Sequence, residues 1–213
     1  MDFSEFKEKI VKINKMELPG EQLHLKMAPI ERLLELKQKA RDSKNAKKAA
    51  VLVLFYPSDH LETHFVLILR KTYKGVHSAQ VGFPGGKWEQ GDVDYQHTAL
   101  RETEEEVGVP VGSVEVLKEL SEIYIPPSNF FVQPFLGITH AQPKFVAQEE
   151  EVEAIIEVPL ATFLSEKAIT TQTLSTSYAK QIEVPAFFLE EHVVWGATAM
   201  MLNEVREMLK QLL

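Results

Sequence analysis

Apolar positions at the start of the chain recur at helical spacing, with Phe3, Phe6, Ile10 and Ile13 along one side. Pro19 and Gly20 end that pattern. A second, basic amphipathic stretch from Ile30 to Lys48, with Leu33, Leu34 and Leu36, predicts another helix. Residues 1–48 thus read as an N-terminal helical extension packed on a main domain of residues 49–213. The period changes at Ala49. Ala49 to Tyr56 is a continuous apolar run, the pattern of a strand buried on both faces. His64 to Arg70 predicts the next strand, joined to the first as a hairpin. A Gly- and Lys-rich stretch then leads to Phe83-Pro84-Gly85-Gly86. A helix follows from Asp94 to Val107, with Asp94 as N-cap and Gly108 as the residue that stops it. Further strands are expected at Val114 to Ile125, Phe130 to Thr139 and Glu149 to Val158, with Pro159 opening a short helix. Val184 to Leu189 and Val193 to Trp195 make a late strand pair, and Gly196 to Leu213 a final helix. Its stripe of Met201, Val205, Met208 and Leu212 is read as packing or as the face of a homodimer. Strands interleaved with helices imply an α/β fold class.

Composition bounds the possibilities. The 213 residues are 45% hydrophobic and 25% charged, enough apolar matter for a normal core. Lys and Arg number 23 against 31 Asp and Glu, a net charge of −8 that argues against broad nucleic-acid binding. A small anionic substrate is still compatible, because a bound divalent cation reverses the local sign. With no Cys, disulfides, thiolate metal sites and cysteine nucleophiles are excluded. Neither a membrane-length apolar run nor a signal-peptide core is present, so a cytoplasmic protein without membrane partners is expected.

The stretch Arg101-Glu102-Thr103-Glu104-Glu105-Glu106-Val107-Gly108 carries the chemistry. On a helix with Glu102 at zero, Glu106 falls at about 40° and Glu105 at about −60°. Glu104 points away, and Leu100, Thr103 and Val107 fall on that far side and can face a core. Three like charges on one narrow face are unfavourable alone. They become favourable around a hard divalent cation such as Mg²⁺, which takes carboxylates together with substrate phosphates. Arg101 lies beside Glu105 and could fix that carboxylate. A solvated acidic helix is the plainer alternative. The upstream glycine pair, which allows close backbone approach and offers amide donors, shifts the balance towards a site.

At these residues the sequence resembles the Nudix hydrolase family, whose box reads G-x5-E-x7-R-E-U-x-E-E-x-G-U, with U bulky and apolar. Gly86 and Arg101 to Val109 match its two ends. Three positions depart from it. The interval from Gly86 to Arg101 is one residue longer, Asp92 stands at the intermediate Glu, and Thr103 occupies a U position. Residues 77–87, the extension and Thr98 to Glu102 are similar to a subfamily, the coenzyme A pyrophosphatases. Val66-Leu67-Ile68-Leu69-Arg70 and Phe83-Pro84-Gly85-Gly86 fit the two ends of that subfamily's upstream signature at matching spacing. Inside it, Lys71, Gly75 and Ala79 replace the expected residues. Residues 126–135, 151–160 and 195–199 resemble the same group.

The resemblance implies an α/β/α sandwich with a mixed sheet. It also implies Mg²⁺- or Mn²⁺-dependent hydrolysis of a nucleoside diphosphate-type molecule. For coenzyme A the products are 3′,5′-ADP and 4′-phosphopantetheine. The expected metal ligands are Glu102, Glu105 and Glu106, with Arg101 orienting a carboxylate. Glu105, or one member of Glu149-Glu150-Glu151, is expected as general base, and Glu151 is favoured because it immediately precedes a strand. Phe83, Gly85 and Gly86 are expected to shape the phosphate-side loop, and Arg70 to meet a substrate phosphate. His77 and His97 are read as structural and Trp195 as core, while Trp88 is left open as a stacking residue. At least one of Phe130 and Phe131 is expected in the core. Two alternatives remain: another substrate such as ADP-ribose or a dinucleotide, and a non-catalytic binding protein of the same fold.

Overall fold

A strand buried on both faces needs a layer on each side, and β1 (Lys47–Pro57) has both. Ala49, Val53 and Phe55 belong to one apolar cluster, and the alternate positions Ala50, Leu52, Leu54 and Tyr56 to another. The computed structural model describes residues 1–29, 45–72, 80–174 and 181–213. In it β1 pairs antiparallel with β2 (Thr63–Arg70), Phe55 opposite Phe65, as the hairpin reading expects. On its other side β1 runs parallel to β7 (Phe130–Thr139), from Lys47 opposite Phe130 to Phe55 opposite Ile138. That parallel pair makes the eight-stranded sheet mixed. Its remaining members are β3 (Val81–Gly82) and β8 (Val152–Pro159) on β2, β4 (Gly85–Lys87) on β1, and β5 (Val114–Glu119) and β6 (Ile123–Ile125) on β7. A separate antiparallel sheet holds β9 (Ile169–Leu174), β10 (Ile182–Leu189) and β11 (His192–Trp195).

One layer over the main sheet is α3 (Tyr95–Val107), which sets Ala99, Leu100 and Val107 against the even positions of β1. The opposite layer joins α1 (Phe3–Ile10) with α5 (Gly196–Leu212). Phe6 of α1 packs on Phe55 with ring centroids 5.0 Å apart, so the N-terminal helix fills the same core as the central strand. Met201, Val205 and Met208 of α5 are buried there, so the C-terminal stripe is used in packing within the chain. Polar contacts staple this layer down. Glu204, fully buried, meets His24 Nε2 at 3.0 Å and accepts from Ser121 Oγ at 2.5 Å. His24 belongs to the short α2 (Glu21–Leu25). Arg206 donates to the carbonyls of Phe163, Leu164 and Ser165, the end of α4 (Leu160–Leu164), which follows Pro159 as expected.

Several boundaries differ from the sequence reading. β1 begins at Lys47, because Lys47 and Lys48 pair with Phe130 and Phe131 while exposing their side chains. The helix expected up to Lys48 therefore does not reach it, and its residues 30–44 lie outside the described residues. The strand expected over Val114 to Ile125 is divided. Pro134 of β7 has no N–H for the ladder, and the Leu120 carbonyl accepts instead from Gln133 Nε2 at 2.6 Å. Glu149 to Glu151 form a turn before β8, held by the Gln148 side chain, which accepts from the amides of Glu150 and Glu151. β9 has no counterpart in the sequence reading: its Thr-rich run is too polar to register as an apolar strand.

Candidate active site

The acidic face is set by how α3 begins and ends. Asp94 caps it by accepting from His97 N at 2.7 Å, and Gly108, at φ 75°, closes it with its N–H on the Glu104 carbonyl. Between those ends Leu100, Thr103 and Val107 are buried as the sequence predicts, whereas Glu104, on the same far side, is exposed. The carboxylates differ in environment. The Glu105 side chain is 56% exposed, that of Glu102 14%, and that of Glu106 3%.

Glu106 is held from both ends. Its Oε2 accepts from Gly85 N at 2.8 Å, and its Oε1 meets Arg70 Nη2 at 3.0 Å. The same Nη2 donates to the Gly85 carbonyl at 2.7 Å. The Gly85 amide, expected to face a phosphate, thus serves a carboxylate, and Arg70 has Glu106 as its anionic partner. Gly85 has φ 144°, and a Cβ there would overlap the Ala50 carbonyl oxygen and Val51 Cα. At Gly86 a Cβ would occupy the place of the Glu102 carboxylate. The glycine pair is therefore needed for two different approaches, one to the backbone of β1 and one to an acidic side chain.

Arg101 is anchored before it reaches the acidic face. Its Nε and Nη2 bind the two oxygens of Asp92 at 2.9 and 3.0 Å. Asp92 is buried and also accepts from Thr98 Oγ1 and Glu89 N, with His97 Nδ1 3.0 Å away. Hydrogen bonding, first of all from Arg101, holds its carboxyl well below the usual range in spite of burial. Nη1 is left to meet Glu102 Oε1 at 3.0 Å and Glu105 Oε2 at 2.9 Å. The expected pairing of Arg101 with Glu105 is present, and Asp92 is what aims it. In the sequence Asp92 is marked by its place at the box's intermediate Glu and in the acidic loop with Asp94; its pairing with Arg101 is set by the fold.

Asp92→Asn is expected to leave the guanidinium without its bidentate partner and to cost about 2–4 kcal/mol. It is also expected to lower turnover by about 10- to 100-fold through misplacement of Glu102 and Glu105. Urea unfolding and steady-state kinetics check this, and an unchanged kcat would remove Arg101 from any orienting role.

Glu151 approaches from another element. The β2–β8 register shifts between Leu69 and Arg70, and Lys71 N donates to the Glu151 carbonyl at 2.9 Å beyond that bulge. The charge of Glu151 acts on both Glu102 and Glu106, raising their pKa values, whereas Glu149 and Glu150 are not among the main causes at either. Burial is the largest cause at each. It pushes Glu106 up to about 7 against the pull of Arg70 and the Gly85 amide, and it raises Glu102 against Arg101.

Among the described residues no three acidic or His side chains are already gathered as a metal-ligating cluster; Arg70 and Arg101 hold the helix carboxylates. The donor set nevertheless fits a hard divalent cation. Carboxylates disfavoured as anions by burial and by one another are relieved by a positive ion.

That electrostatic frustration has a measurable consequence. Glu106 has its folded pKa, about 7, above the ordinary 4.5, so its contribution to stability is full below about pH 4.5 and is lost as pH rises through 7. Without divalent ions, stability is expected to fall between pH 5 and 8 by up to about 3 kcal/mol, and Mg²⁺ should restore more at pH 8 than at pH 5.5. Urea titrations with and without chelator check this. Equal metal stabilisation at both pH values would remove Glu106 from the ligand set.

Other expected residues fall as follows. Phe83 is 2% exposed within the core that includes α1 and α5, so it anchors the loop from beneath and does not face a substrate. His97 is structural, on Asp92. Trp195 is half-buried, not core as expected. Phe130 and Phe131 are both half-buried, Phe131 with its ring 5.0 Å from that of Tyr124. Trp88 is exposed at the surface. His77 lies outside the described residues. No described helix is long and apolar enough to cross a membrane.

The NUDIX domain family profile matches residues 46–176. The chain is 31% identical over 159 residues to Nudix hydrolase 15, mitochondrial, of Arabidopsis thaliana, spanning 72% of this chain and 55% of that relative. It is 31% identical over 161 residues to the uncharacterized Nudix hydrolase NudL of Yersinia pestis (strain Pestoides F), spanning 76% of this chain and 79% of that one. A crystal structure of a Nudix hydrolase from M. Smegmatis, RenU, superposes with a TM-score of 0.53 at 15% identity, over 79% of this chain and 88% of that one. A MutT/nudix family protein from Enterococcus faecalis superposes with a TM-score of 0.52 at 15% identity, over 96% of this chain and 73% of that one. The two superpositions bear on the fold.

Proposed function

The chain belongs to the Nudix family, and from that premise we propose that it hydrolyses the diphosphate bond of coenzyme A or a derivative. The observation that carries the chemistry is the Glu102–Glu106 helix face set directly on the glycine pair, Glu106 on the Gly85 amide and the Glu102 carboxylate in the space beside Gly86. We assign this to the unit beginning near Ala49, with the N-terminal helices completing its core.

A diphosphate repels a nucleophile by its own charge. Glu102 and Glu106, with Glu105, would hold Mg²⁺ or Mn²⁺, which supplies charge neutralisation and Lewis acidity at phosphorus. Arg101, fixed by Asp92, orients Glu102 and Glu105. Glu151 is the better-placed general base, because Glu105 shares the Arg101 guanidinium. It takes a proton from water as the new O–P bond forms and the bridging P–O bond breaks. For coenzyme A this releases 3′,5′-ADP and 4′-phosphopantetheine.

The substrate assignment is supported by residues 66–70, 83–86 and 126–135, which resemble coenzyme A pyrophosphatases. Lys71, Gly75 and Ala79 depart from that signature and favour, as second reading, another nucleoside diphosphate such as ADP-ribose or a dinucleotide. The proposal carries a cytoplasmic location and needs no nucleic-acid or membrane partner.

The test is hydrolysis of coenzyme A with and without Mg²⁺ or Mn²⁺, products resolved by mass. Metal-dependent 3′,5′-ADP is expected. Cleavage of ADP-ribose or a dinucleotide but not of coenzyme A would replace the substrate, and cleavage of nothing in that panel would leave a binding protein.

A further inference from the structure

One nitrogen of Arg70 closes a ring through three elements. Nη2 lies 2.7 Å from the Gly85 carbonyl and 3.0 Å from Glu106 Oε1, and the Gly85 amide returns to Glu106 Oε2 at 2.8 Å. Both carboxylate oxygens are thereby fixed, by a β2 side chain and a β4 backbone, at the buried end of the α3 face. The register shift at Leu69/Arg70 interrupts the β2–β8 ladder where this side chain leaves the strand. Arg70 continues the alternation of Val66 and Ile68, which pack in the apolar cluster on the α3 side, so β2 itself directs this side chain towards the acidic face. Just beyond it, the Lys71 amide holds the Glu151 carbonyl. Arg70 and Glu151 thus lie on either side of one register shift between β2 and β8.

We propose that Arg70 is a positioning residue for the diphosphate-hydrolysing site: it sets the Glu106 carboxylate and the Gly85 carbonyl against each other, and is not the ligand of a substrate phosphate. This rests on reading Glu106 as part of that site. The demand on the side chain is geometric. A guanidinium nitrogen carries hydrogens in fixed directions and can give one to each of two oxygens while the plane stays put. A lysine ammonium on a flexible stem does not impose that arrangement.

Two readouts separate positioning from substrate binding. The first is Mn²⁺ affinity of the full-length protein without substrate, measured by electron paramagnetic resonance. The second is the split between kcat and KM on whichever nucleotide the protein cleaves. Arg70→Gln is expected to weaken Mn²⁺ binding about tenfold and to lower kcat about 10- to 100-fold, with KM changed less than threefold. Arg70→Lys should recover only part of either loss, and it retains the positive charge should Arg70→Gln fail to fold. In a Glu106→Gln background, Arg70→Lys should change Mn²⁺ affinity little further.

A KM raised tenfold or more with Mn²⁺ affinity intact would overturn the proposal and return Arg70 to the substrate. Full recovery by lysine would overturn the geometric argument. Because the metal titration contains no nucleotide, a wrong substrate assignment leaves its outcome unchanged. If Glu106→Gln alone leaves Mn²⁺ affinity intact, the reading of the site itself fails.

Discussion

Glu106→Gln is expected to lower metal-dependent turnover by about 100- to 1,000-fold while the protein stays folded. Glutamine keeps the shape of the side chain and an oxygen that can accept from the Gly85 amide. It removes the negative charge that a divalent cation requires. The stability consequence runs the other way from an ordinary core substitution. Glu106 is 3% exposed, and burial pushes its pKa up to about 7, so the anion is costly at pH 8. The neutral variant should therefore unfold at the same or slightly higher urea concentration at pH 8, within about 1 kcal/mol, because the loss of the Arg70 partner offsets part of the gain. Steady-state kinetics at saturating metal, paired with urea unfolding, checks both halves. Turnover within a few-fold of the parent would take Glu106 out of the chemistry.

Gly85→Ala is expected to destabilise the protein by about 3–5 kcal/mol. Its φ of 144° is one that L side chains rarely adopt, and the added carbon would overlap the Ala50 carbonyl and Val51 Cα. Those are backbone atoms of the central strand, and they can yield only if β4 separates from β1. Gly86→Ala should behave differently. Its overlap is with the carboxylate of Glu102, the end of a side chain that can swing aside. Stability should change by about 1 kcal/mol or less, while turnover falls by about 10- to 100-fold. Neighbouring glycines would thus separate a fold requirement from a site requirement. Equal effects on both quantities at both positions would contradict this division.

The α/β/α sandwich was legible because its central strand is apolar at successive positions, a pattern that only burial on both faces explains. The hairpin, the capped helix and the final helix were legible for similar local reasons. Less was visible where a partner strand decides. Nothing in Val114 to Ile125 announces a break, since it arises from Pro134 on the neighbouring strand. β9 was missed because its Thr- and Gln-rich run carries no apolar alternation, and its strand character comes from pairing with β10.

The helix wheel correctly separated Glu102, Glu105 and Glu106 from Glu104 and the buried Leu100, Thr103 and Val107, because spacing along a capped helix is a local property. It could not rank the carboxylates. That Glu106 is buried and Glu105 open depends on where β2 and β4 lie. Phe83 was expected beside a substrate and is core, because the sheet directs it to the layer of α1 and α5.

By itself, then, the sequence determined the sheet-and-helix framework, the carboxylates that share a face, and the resemblance that names the family. All of these are periodicities and spacings within short windows. Only the tertiary structure decided the pairings: Asp92 with Arg101, Arg70 with Glu106, and the Gly85 amide with a carboxylate. Each joins residues 9 to 36 positions apart. Such pairings are chosen by which long-range contacts survive packing and desolvation together, and no local pattern records that choice.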